Sequence, residues 1–118
     1  RFRQQNDVFF FFEKVHFSCA AEPGVLDLLR ASGRPQIIIC GTETHVCVLQ
    51  SALGLLAAGF QVFLVADAAS SRTAENRQAA IDRMRACGVQ VVTTEMVLFE
   101  WLHRAASEEF RQLLPLIK

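Results

Sequence analysis

The chain has 118 residues, enough for one domain and too few for two. Apolar residues make up 52% of it and charged residues 20%, a balance that buries a core and excludes a disordered segment. Its 12 Lys and Arg offset 12 Asp and Glu, which argues against a general electrostatic attraction to nucleic acid or to an anionic membrane.

Four phenylalanines run consecutively at positions 9–12. Such a run is not left in water by a helix or a half-exposed strand, so a buried strand, or one lacking its usual neighbours, is expected. After Pro23 and Gly24, the residues Val25, Leu26, Leu28 and Leu29 mark a short amphipathic helix. Residues 36–40 (QIIIC) form a continuous apolar run, the pattern of a strand buried on both faces. Gly41 and Thr42 break it, and a helix follows over 45–58, stopped by Gly59. Residues 61–66 (QVFLVA) predict a second buried strand ending at Asp67. Ser70, Ser71 and Thr73 offer N-caps for a helix over 73–87, which Gly88 closes. Residues 89–93 read as a third strand, Thr94 as the cap of a helix over 95–104, and Ser107 as the opening of a last helix.

Alternating strands and helices with short connections predict right-handed βαβ units and a parallel sheet covered by helices. Three to four strands make a thin sheet for such a fold. The helix over 45–58 is apolar on nearly every side, so a neighbouring helix or another subunit is expected to cover it. A homo-oligomer is the expectation.

The four cysteines, at 19, 40, 47 and 87, show neither a CxxC pair nor zinc-like spacing. That usage suits a reducing compartment, and no apolar run reaches the length of a membrane span, so a cytoplasmic protein without a membrane partner is expected. The chain starts with Arg1 and does not open as a signal peptide; it is expected to be a piece of something longer.

The segment Gly41-Thr42-Glu43-Thr44-His45-Val46-Cys47 lies between the first parallel strand and its helix, where ligands bind in open α/β sheets. Cys47 falls in the first helical turn. Unpaired N–H groups and the positive dipole end favour the thiolate there, the form that attacks carbonyls, and the same groups can hold an oxyanion. Cys19, Cys40 and Cys87 read as small buried hydrophobes. His45, two residues before the cysteine, points elsewhere and reads as a pocket or capping residue. Asp67 reads as an anchor for loops, Ser70 and Ser71 as caps, and Glu95 and Trp101 as interface residues. Gly41 stands alone, so the glycine-rich fingerprint of dinucleotide binding is missing.

GTETHVCVLQSALGLLAAGF followed by QVFLVADAASSR resembles the isochorismatase-like cysteine hydrolases, nicotinamidases among them, and Lys14-Val15-His16-Phe17-Ser18 resembles the motif around that family's catalytic lysine. The resemblance runs from about Glu13 to the C-terminus, with residues 1–12 outside it. It implies one isochorismatase-like domain over 1–118, a C-terminal half, with the three-layer Rossmann-like α/β fold and its N-terminal strands missing. It makes Cys47 the nucleophile and Lys14 the lysine beside it. It also implies a cis peptide at Thr42–Glu43 that turns the Glu43 N–H, with that of Cys47, toward the substrate oxygen. His45 and Phe17 are assigned to the substrate pocket.

The implied reaction is hydrolysis of a small-molecule amide or related C–N bond through a Cys47 thioester, with no metal and no cofactor. The family's third catalytic residue is an aspartate ending an earlier strand. Asp7 is the one acid before Glu13, and its context does not match that motif. The 118 residues are therefore expected to be poorly active or inactive. The alternative is a non-catalytic relative that serves as an interaction or oligomerisation module.

Overall fold

The computed structural model describes residues 9–117, which form two compact units, 14–94 and a second of 9–13 with 95–117. The sequence expectation at Asp7 lies outside the described residues. In the larger unit a 3-10 turn, Cys19–Ala21, precedes helix α1 (Val25–Ala31) and strand β1 (Gln36–Thr42). A π-helical turn, Thr44–Val48, runs directly into α2 (Leu49–Ala57). Strand β2 (Gln61–Ser70), helix α3 (Ala74–Cys87) and strand β3 (Gln90–Val92) complete it. Helix α4 (Thr94–Leu102), helix α5 (Glu108–Leu113) and a 3-10 turn, Leu114–Leu116, follow.

The sheet has the order β1-β2-β3 with both pairings parallel, and helices flank it: an α/β fold. The central strand carries the core. Val62 and Leu64 of β2 form one buried cluster with Val48, Leu49, Ala52 and Leu55 and with Ala80, Ile81 and Met84 of α3. The spacing of these positions, three and four residues apart on each helix, puts them on one face. Ala52 is fully buried at 0% exposure, and the cover that the apolar α2 requires comes from α3, β2 and the 3-10 turn of the same chain.

Two apolar runs behave differently from their sequence pattern. β1 pairs only with β2 among the described residues, so it is an edge strand there, and its burial pattern shows that it is not buried on both faces. Its exposure alternates: Ile37 and Ile39 pack on the core, while Ile38 is 40% exposed and Cys40 lies open. The phenylalanines at 9–12 form no strand and are exposed, Phe11 at 96%. An apolar run reports that a segment avoids water in its final setting; the described sheet supplies no second neighbour beside β1.

The ends of the strands carry the loops of interest. β1 and β2 pair in step up to Ile39↔Leu64, then the register jumps to Gly41↔Ala69 and Thr42↔Ser70, so β2 bulges opposite Cys40. Arg77 of α3 closes this bulge by donating to the Ala66 carbonyl and, at 2.9 Å, to that of Ala69. Asp67, at the bulge, accepts from the Thr94 N–H at 2.8 Å and hydroxyl at 3.0 Å, the loop anchor expected of it. Thr94 is thereby the first residue of α4 and not its cap.

Candidate active site

The polypeptide leaves β1 through Gly41, whose φ of 128° lies where a side chain is strained. The Thr42–Glu43 peptide bond that follows is cis. Glu43 then serves as the extended residue before the π-helical turn, its carbonyl accepting from the N–H groups of Val46 and Val48 at 3.2 and 3.1 Å. This places Cys47 in the turn at the head of α2, half-buried, while Cys40 and Cys87 are exposed.

Lys14, 33 residues earlier, reaches the same point. Its Nζ lies 3.6 Å from the Cys47 Sγ and donates to the carbonyls of His16 at 2.9 Å and Phe17 at 3.0 Å. Two lone-pair dipoles thus hold the ammonium in place beside the sulfur. The 14–22 segment is itself pinned to α2. Ser51, buried and one turn beyond Cys47, accepts from the Cys19 N–H at 2.8 Å. Ser18 caps the short turn by accepting from the Ala20 N–H at 3.1 Å. Gly54 gives the segment room, since a Cβ there would lie 2.9 Å from the Ala20 Cβ and 3.0 Å from the Ser18 Oγ.

One carboxylate organises the hairpin. The Glu22 Oε1 accepts from the Val15 N–H at 2.9 Å, the His16 N–H at 2.8 Å and the His16 Nδ1 at 2.8 Å. Its side chain is 8% exposed against 53% for His16. The His16 backbone N–H, followed by its ring, holds the Glu22 carboxyl below the usual carboxylate value.

A second set of polar groups joins the loops after β1 and β2. The His45 Nδ1 lies 2.9 Å from the Ser71 Oγ. The Arg72 Nε donates to the Glu43 Oε2 at 2.7 Å, and that hydrogen bond holds the Glu43 carboxyl low. Ser71 therefore meets His45 and does not cap α3; Thr73 does, accepting from the Asn76 N–H at 3.2 Å. Thr44 is fully buried, and its hydroxyl is a buried polar atom without a partner among the described residues.

The geometry thus brings Cys47 and Lys14 together, with Glu43 and His45 on the loop between β1 and the cysteine. Phe17 contributes its carbonyl to Lys14 while its ring is 59% exposed. Trp101 and Glu95, in the smaller unit, are exposed. Among the described residues no group of three or more His, Cys, Asp and Glu is placed to hold a metal ion. Glu22, Ser51, Gly54 and Arg72 were not singled out by their sequence context. A serine and a glycine inside an otherwise apolar helix are a usable signal, because each forfeits helix stability or burial unless something approaches closely there. Glu22, before Pro23, carries no periodic signal.

A parallel α/β sheet thus carries a lysine–cysteine pair at the carboxyl end of its outer strand, and this is the class of fold and site that the similar proteins share with the chain. The Isochorismatase domain matches residues 2–96, and the chain belongs to the isochorismatase family. Isochorismatase family protein 1B of Dictyostelium discoideum is 38% identical over 119 residues, covering 98% of this chain and 57% of that protein. The solved MAR1 ribonuclease of Caenorhabditis elegans superposes with a TM-score of 0.79 at 33% identity, covering 88% of this chain and 53% of that one. Pyrazinamidase of Pyrococcus horikoshii, solved in complex with zinc, gives 0.65 at 31% identity over 69% and 45%. The chain spans about half the length of these proteins.

Proposed function

We propose that the chain carries the nucleophile half of a cysteine hydrolase acting on a small-molecule amide or related C–N bond. The observation that supports this best is the 3.6 Å approach of the Lys14 Nζ to the Cys47 Sγ at the head of α2. A cation and a helix N-terminus both favour the thiolate. The thiolate attacks the carbonyl carbon, forming a C–S bond and an oxyanion that the N–H groups of Glu43 and Cys47 stabilise. Collapse breaks the C–N bond, the amine departs with a proton, and water then cleaves the thioester to the acid and the free thiol. His45 and Phe17 flank the substrate. The pyrazinamidase neighbour supports the amide class by its name.

Hydrolysis also needs a group to protonate the amine and deprotonate the water, worth roughly two to four orders of magnitude in rate. None of the 118 residues matches the family's aspartate, so we expect these residues alone to acylate and turn over slowly. The reading includes a homo-oligomer and a cytoplasmic setting; the free state of all four cysteines supports a reducing compartment. The rival is a non-catalytic interaction module.

The test exposes the chain to an activated ester, to nicotinamide, to pyrazinamide and to an RNA oligonucleotide. Intact mass and peptide mapping follow the protein. The expected result is acylation of the Cys47 peptide by the ester, slow release, and loss of acylation in Cys47→Ala. Acylation confined to the exposed Cys40 or Cys87 supports the non-catalytic module. RNA cleavage that survives Cys47→Ala overturns the amide reading.

A further inference from the structure

We propose that Glu22 is a positioning residue for the Lys14–Cys47 pair, acting by folding the 14–17 hairpin into the shape that delivers the ammonium to the sulfur. The inference rests on the reading that Lys14 favours the Cys47 thiolate. Its ground is a chain of contacts in which every link is short. Lys14 is held by two carbonyls, those of His16 and Phe17. Those carbonyls face the lysine only if the backbone turns sharply between 14 and 17. Within the same bend the N–H groups of Val15 and His16 both donate to one oxygen of Glu22. The His16 Nδ1 donates to the same oxygen.

The arrangement divides the labour at the hairpin. Its carbonyls gather around a cation and its N–H groups around an anion, so of four consecutive peptide units the anion fixes the first two and the cation the last two. Glu22 is nearly buried, and three donors directed at one oxygen compensate its lost hydration. Residues 15–21 contain no acid that could take its place. The hairpin is tied to the cysteine helix at a separate point, the Cys19 N–H to Ser51 bond. Removing Glu22 therefore leaves the segment docked on α2 but releases the curve that aims Lys14. Glu22 touches neither the sulfur nor the substrate position; it works through the lysine.

The experiment measures iodoacetamide alkylation of Cys47 in the full chain at about pH 6 and about pH 9, with the exposed Cys87 as internal reference. The variants are Lys14→Met, Glu22→Ala, Glu22→Gln and the double variant Lys14→Met/Glu22→Ala. Lys14→Met is expected to slow alkylation at about pH 6 by about tenfold and to approach the unchanged protein near pH 9. Glu22→Ala is expected to show the same pH-selective loss, about three- to tenfold, and Glu22→Gln a smaller one because its carbonyl still accepts. The double variant is expected to be no slower than Lys14→Met alone, since the two residues act in series. Cys87 rates stay constant throughout.

If Lys14→Met leaves alkylation unchanged, the reading of Lys14 fails first. If Lys14→Met slows Cys47 but Glu22→Ala does not, or if the two losses multiply, the positioning role is overturned. Should Glu22→Ala fail to fold, Glu22→Gln decides: alkylation equal to the unchanged protein at about pH 6 overturns the proposal, and a pH-selective loss upholds it.

Discussion

Gly54 sits where α2 touches the segment that carries Lys14, and its missing side chain is a measurable part of that contact. A Cβ at this position would stand 2.9 Å from the Ala20 Cβ, a short side chain that cannot swing away. Alanine gains about 0.5–1 kcal/mol over glycine inside a helix. Overpacking a tight contact costs about 1–3 kcal/mol. Gly54→Ala is therefore expected to lower stability by about 1 kcal/mol net, read as a shift in urea midpoint at constant slope. An increase in stability would show that Cys19–Ala21 yields freely. At this scale the motifs of the resemblance named Lys14 and Cys47, which the fold brings to 3.6 Å of each other. The sequence did not disclose the residues that hold them, because a carboxylate bonded to backbone N–H groups has no partner that a sequence pattern could name.

At the scale of elements, α3 is the best-bounded helix in the chain. Thr73 caps its N-terminus, Glu75 lies in the first turn, Arg85 in the last, and Gly88 ends it in the left-handed region at φ 104°. Thr73→Ala is expected to destabilise the protein by about 1 kcal/mol, with a return toward the original urea midpoint in Thr73→Asp or Thr73→Ser. No change would mean that the free Asn76 N–H is satisfied by water at no loss. The same punctuation is why helices and strands were readable: Gly59 and Gly88 stop apolar periods and α3 follows its pattern closely, while β2 runs on past its expected end at Asp67 to Ser70 through the bulge that Arg77 closes. The failures share one cause. The phenylalanines at 9–12 and the outer face of β1 are apolar but exposed, and periodicity reports preference for burial without saying what buries it. For α2 the sequence left open whether a neighbouring helix or another subunit covers it, because α3, 25 residues or so downstream, is remote in sequence although it packs directly on α2.

For the whole molecule, net charge is formally zero at neutral pH, so global repulsion contributes little and acid stability depends on individual carboxylates. Glu22 is held below its ordinary value of 4.5 by the N–H of His16, Glu43 below 4.5 by the Arg72 guanidinium, and Asp67 below 3.8 by the Thr94 N–H. A depressed native value means that the unfolded chain binds more protons than the folded one in this range. Stability then rises with pH there. The contribution is fully present above the unfolded values and is lost as pH falls through them toward the folded ones. The three groups do not share it equally. Arg72 is three-quarters exposed, so water screens its pair with Glu43 and that share is small. Glu22, with three donors on one oxygen and a nearly buried side chain, carries more. The urea midpoint is expected to be flat above about pH 5.5 and to fall steadily below about pH 4.5. Glu22→Gln is expected to flatten that fall while lowering the plateau, and Glu43→Gln to change either only slightly. A midpoint independent of pH down to about 3 would mean that these carboxylates are bonded as well in the unfolded chain as in the fold.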